Sequence, residues 1–137
     1  MELLRDDQVV AINDVLVALY DLMEVLHAAR DEAREAEDVD DALGVSFGER
    51  AERLSEQARR LGAVVERLGD SPAGPSDERL IFDQAGVRLK ASLSHDTASA
   101  LHNSISNAER NLSAAIETAL PDIRDEEARE IVEALKG

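Results

Sequence analysis

The sequence predicts an all-α fold: a four-helix bundle with a long crossover connection that carries an extra short helix. Three observations predict it. Apolar residues recur at gaps of three and four along most of the chain, and no run alternates as a half-buried strand would. One stretch rich in proline and glycine, "GDSPAGPS" at 69–76, separates the helical segments into two pairs.

The first helix is expected over about 5–36, with a seam of Ile12, Leu16, Leu19, Met23 and Leu26, the heptad-like stripe of a bundle with shallow crossing angles. The acidic run 31–41 ends it, because carboxylates are unfavourable at a helix C-terminus, where the macrodipole is already negative. Ser46 and Glu49 have the spacing of a capping box and are expected to start the second helix. Its seam is Phe47, Ala51, Leu54, Ala58, Leu61, Val65 and Leu68, and it should run antiparallel to the first. The crossover spans about 69–95 and holds a shorter helix at about 77–93, with Leu80, Ile81, Val87 and Leu89. Asp96 is the expected N-cap of the next helix, whose seam is Ala98, Leu101, Ile105, Ala108, Leu112, Ala115 and Ala119. Its alanines imply close backbone approach. Pro121 suits a first turn, and the last helix, about 122–136, places Asp122, Asp125, Glu126 and Glu127 near its positive end and turns Ile131, Val132 and Leu135 inward.

The 137 residues fit a single domain, 1–137, large enough to fold without staples. Cysteine is absent, which removes disulfides, thiolate metal sites and cysteine nucleophiles together. The acidic N-terminal stretch lacks the basic start and long apolar run of a signal peptide, and no segment has the length and apolarity to span a membrane; a cytoplasmic location is expected. A formal charge of -15, from 30 acidic and 15 basic residues, repels phosphate backbones and anionic lipid, so neither nucleic acid nor membrane is an expected partner. Aromatic residues make up 2% of the chain, too few for a stacking platform or an aromatic-lined cleft.

Few patterns carry chemistry. Glu24 and His27 form one E-x-x-H pair, the spacing with which helical bundles hold paired metal ions. A complete centre needs two such pairs and two further glutamates, and only one pair is present. On the fourth segment His102 and Glu109 share a flank, with Ser106 between them. Glu24, His27, His102 and Glu109 would make an iron or other divalent-metal site if the two flanks met; otherwise the glutamates are solvated, His27 is half-buried, and no cofactor is expected. The second of these is favoured, since metal sites need convergent ligands with supporting hydrogen bonds. Asp38, Asp40 and Glu49 match three calcium-loop positions, but Ala42 and Leu43 replace the fifth ligand and the required glycine. No serine sits on a strained turn beside a base, and "LGDSPAGP" lacks the lysine and preceding strand of a phosphate loop. Asn13 interrupts an apolar run. It is either part of a solvent-facing pair with Asp14 or a buried amide that fixes register between subunits.

The stretches "LYDLMEVLHAARDEAREAEDV" (19–39), "ERLGDSP" (66–72), "GVRLKASL" (86–93) and "AERNLSAAIETALP" (108–121) resemble an uncharacterised bacterial family of ferritin-like four-helix-bundle proteins, a domain of unknown function. The resemblance covers most of the chain and implies a ferritin-like bundle, often self-associating, with a metal-binding role. The pattern departs at Ser104 and Ser106, where the family carries acidic residues, which leaves Glu109 as the retained carboxylate, and at Gly86, where it carries an aromatic.

Together these readings lead to a non-enzymatic, self-associating bundle with a structural or stress-related role. The expected assembly is a dimer whose interface includes Asn13, Leu16 and Met23. The alternatives are a ferroxidase-like di-metal carboxylate protein and an adaptor that binds a protein partner.

Overall fold

The computed structural model describes residues 6–35, 41–74 and 97–136. Its elements are α1 (Asp7–Glu35), α2 (Asp41–Arg67), α3 (Thr97–Ala119), a 3-10 turn (Leu120–Asp122) and α4 (Glu126–Lys136), with no strand among the described residues. The expected crossover helix, the Asp96 cap, Asp38, Asp40 and Gly86 lie outside these residues, as does the side chain of Ala98.

The first helix is the hub. Asp6 caps it: its Oδ1 accepts the Gln8 N–H at 2.8 Å and its carbonyl accepts from Val10. Every expected seam residue, Ile12, Leu16, Leu19, Met23 and Leu26, is buried. Burial extends well beyond that stripe, to Val9, Val15, Leu22, Val25 and Ala29, because α2 and α3 both pack along α1 and cover different sides of it. A helix apolar on more than one side is an interior helix, which is why this one lacks a broad polar face.

Packing of α2 on α1 is antiparallel, as expected: Gly44 and Gly48 near its start lie against Ala33 and Arg30, while the segment after its end reaches back to Asn13. The stem of Arg30 crosses Gly48, where an added Cβ would lie 3.2 Å from Cδ and the arginine stem would have to shift by a few tenths of an ångström. The chain is already helical at Asp41, ahead of the Ser46–Glu49 pair, and both of those residues are exposed within the helix. Tertiary packing overrides the local capping signal, since Gly44 and Phe47 are buried and hold the first turns in helical form. Its end is a Schellman motif: Gly69, at φ +90°, donates to Glu66 O, and Asp70 donates to Val65 O. Leu68 therefore falls in the exit turn, exposed, rather than on the seam.

Phe47 and Arg50, both early on α2, meet His102 and Glu109 of α3, so these two helices run in the same direction and α3 is antiparallel to α1. The last helix is shorter than expected. Pro121 sits in the 3-10 turn, Ile123 is extended and buried, and Asp125 caps α4 by accepting the Ala128 N–H at 3.0 Å. Burying Ile123 against the core forces the chain out of helix before α4 can start. Ala128, Ile131 and Val132 then close the bundle.

Candidate functional site

Of the four candidate ligands, Glu24 and His27 lie on α1 and are half-buried; the Nδ1 atom of His27 is buried without a hydrogen-bond partner. His102 and Glu109 lie on α3, the first exposed and the second half-buried. Both are engaged by α2. The rings of His102 and Phe47 meet edge to face, with centroids 6.0 Å apart and planes at 76°. Arg50 donates from Nη2 to Glu109 Oε2 at 2.6 Å, tying α2 to α3. Among the described residues, no three His, Asp or Glu side chains form a group able to hold a metal ion.

Of the two serines at which the resemblance departs, Ser104 has a local bond within its helix. Ser104 is buried and donates its hydroxyl back to Ala100 O at 3.2 Å, whereas Ser106 is half-buried.

Asn13 is buried and Asp14 is exposed. The amide of Asn13 fixes the segment after α2: Oδ1 accepts the Ala73 N–H at 2.8 Å, and Nδ2 donates to Ser71 O at 3.4 Å. It holds register within one chain, joining α1 to residues 71–73, with Pro72 stacked over Gly62. Leu16 and Met23, the other expected interface residues, are in the interior of the bundle.

Two polar anchors stand outside the candidate set. Gln8 is 7% exposed, and its Oε1 accepts the backbone N–H groups of Arg124 (2.7 Å) and Asp125, pinning the junction between the 3-10 turn and α4 to the start of α1. Asp125 combines its cap with a 2.8 Å bond from Arg67 of α2. The Ala128 N–H, and then the Arg67 guanidinium, hold its carboxyl below the usual carboxylate range. A capping residue three before Ala128 was legible as a local pattern; the Gln8 contact, spanning most of the chain, was not.

The surface also carries concavities, of which two bear on function. A small one of about 170 Å³ lies over Leu22, Leu54 and Ile116, beside Arg50, Glu109 and Lys136. The larger, about 380 Å³, is an open groove between α1 and α3, floored by Val10, Ala11, Ala115 and Ala119 and bordered by Asp7, Asp14 and Asp122. No family model matches the chain, and neither a curated protein nor a solved structure matches it.

Proposed function

We propose that the chain is a non-enzymatic helical bundle of ferritin-like architecture that acts by association, including as a dimer, in a structural or stress-related role. The observation that carries this reading is the Arg50–Glu109 pair. A carboxylate in a di-metal centre has its charge met by the cation it ligates; Glu109 has its charge met by a guanidinium at 2.6 Å. A metal ion would have to displace that arginine and leave it beside a second positive charge.

The second reading, a divalent-metal carboxylate protein using Glu24, His27, His102 and Glu109, draws its support from His27, whose buried Nδ1 has a free lone pair or N–H. One experiment separates the two. Protein purified without chelator and loaded with iron(II), manganese(II) or zinc is analysed for metal content and for molar mass by light scattering. The association reading expects no stoichiometric metal and a dimer mass. Stoichiometric metal that is lost in Glu109→Gln overturns it in favour of the second reading, and a monomer at all concentrations removes self-association from it.

A further inference from the structure

The groove between α1 and α3 encloses about 380 Å³, and its chemistry is uneven in a specific way. Its floor is apolar and shallow. Val10, one of the few large apolar side chains left open, is 40% exposed there, and the neighbours Ala11, Ala114, Ala115 and Ala119 are no larger than a methyl group beyond the backbone. Such a floor admits a third helix at short interaxial distance, near the lower end of the usual range of about 8–10 Å.

The border is anionic on both sides. Asp7 and Asp14 stand on the α1 wall, seven residues or about 10 Å apart along the axis. Asp122 stands on the opposite wall at the Asp7 end, because α1 and α3 are antiparallel. Among the described residues no hydrogen bond or ion pair engages these three carboxylates, whereas Asp6 beside them faces Arg124 at 3.5 Å. The occupant that fits is therefore cationic at its edges and apolar in between.

We infer that this groove docks a basic amphipathic helix of a partner protein, with Lys or Arg two helical turns apart facing Asp7 and Asp14 and a small apolar face on Val10 and Ala115. The inference rests on the reading of the chain as an association module and names the class of partner. A second copy is the poorer occupant. The chain carries a net charge of -15, and bringing another such surface over three unpaired carboxylates adds repulsion where a basic helix adds attraction. Apolar contact in the floor provides the binding surface, as in other helix-in-groove recognition, and the aspartates select the sign and register of the guest.

The test uses the full chain and a fluorescein-labelled designed peptide of about 18 residues, helical, with Lys at i and i+7 and Leu and Ala between them. Anisotropy titrations compare the native chain with Asp7→Asn/Asp14→Asn/Asp122→Asn. A control of the same net charge, Glu49→Gln/Glu52→Gln/Glu66→Gln, alters exposed residues of α2 away from the groove. Losing the two exposed charge pairs at Asp7 and Asp14, together with the nearby negative charge of Asp122, should weaken binding about tenfold in the groove variant and less than about twofold in the control. Ala114→Trp, which fills the groove without changing charge, should weaken binding at least as much. Equal losses in groove and control variants would show general attraction to an acidic protein and overturn the inference. So would native affinity in Ala114→Trp, or a dimer by light scattering that Ala114→Trp dissociates, since the groove would then belong to a second copy. Metal content is unaffected by any of these results, so failure of the peptide test and failure of the non-metal reading are read separately.

Discussion

Replacing Gln8 by methionine tests how the two ends of the chain are joined. The amide oxygen of Gln8 accepts two backbone N–H groups, from Arg124 and Asp125, at the point where the 3-10 turn gives way to α4. Methionine keeps the length and much of the volume of the side chain but has no comparable acceptor. Two donors are then left without their partner. A sealed, unsatisfied donor costs about 1–3 kcal/mol; Arg124 is exposed and Asp125 half-buried, so water reaches both and the lower end applies. The expected loss is about 2 kcal/mol, which for a chain of this size lowers Tm by about 8 °C. Urea unfolding followed by circular dichroism gives the stability directly, and the slope should not change. Amide hydrogen exchange adds a local readout, with faster exchange concentrated in α4. If Gln8→Met matches the native chain within about 0.5 kcal/mol, the junction is held by the burial of Ile123, Ile131 and Val132 alone, and the anchoring role assigned to Gln8 is wrong.

Asn13→Leu removes the acceptor for Ala73 N–H and should cost about 1 kcal/mol and speed proteolytic cleavage within 71–74, with molar mass unchanged; a changed mass would move Asn13 to a subunit contact. The carboxyl of Asp125 titrates below its ordinary value, so its contribution is complete above about pH 5, declines as pH falls through about 4, and is gone once pH passes the depressed folded-state value. Melts of the native chain and Asp125→Asn should accordingly differ by a constant amount above pH 5 and converge in acid; a gap that widens in acid would contradict the assignment. A double-mutant cycle of Arg50→Met and Glu109→Gln should return a coupling of about 0.5 kcal/mol, because the partners are 36% and 43% exposed and water screens them. A coupling above about 2 kcal/mol would mark the pair as structurally dominant. His27→Leu removes a buried nitrogen that has no partner and should be neutral or stabilising by up to about 1 kcal/mol; a loss larger than that would show Nδ1 to be bonded in solution.

Local periodicity carried most of the architecture. The seam of α1 was readable because five apolar residues at gaps of four and three all had to be buried somewhere, and all are. The exit of α2 was readable because Gly69 is the residue type that tolerates positive φ. Boundaries failed where a contact distant in sequence overruled a local preference. Ser46 and Glu49 have capping spacing, yet Gly44 and Phe47 are buried in packing and the chain is already helical at Asp41. Pro121 suits a helical first turn, yet Ile123 must be buried, and that delays α4 to Glu126. The candidate site was legible as a set of residue types and not as a set of partners. Glu109 could be named from the sequence, while Arg50, 59 residues away, is a partner only because both helices flank α1 and the arginine side chain reaches across to α3. Groove residues such as Ala114 and Thr118 are unremarkable one at a time and acquire meaning only opposite Val10.

The central position of α1 also bears on how the chain is made. Its apolar sides are matched by two partners that leave the ribosome at very different times: α2 follows almost at once, whereas α3 begins at Thr97, about 60 residues after α1 ends. At synthesis rates of about 5–20 residues per second, the side of α1 that packs on α3 waits several seconds for that helix. During that interval an α1–α2 hairpin with an exposed apolar flank is the species at risk, and chaperone capture of stalled nascent chains should be strongest for those halted before α3 has emerged.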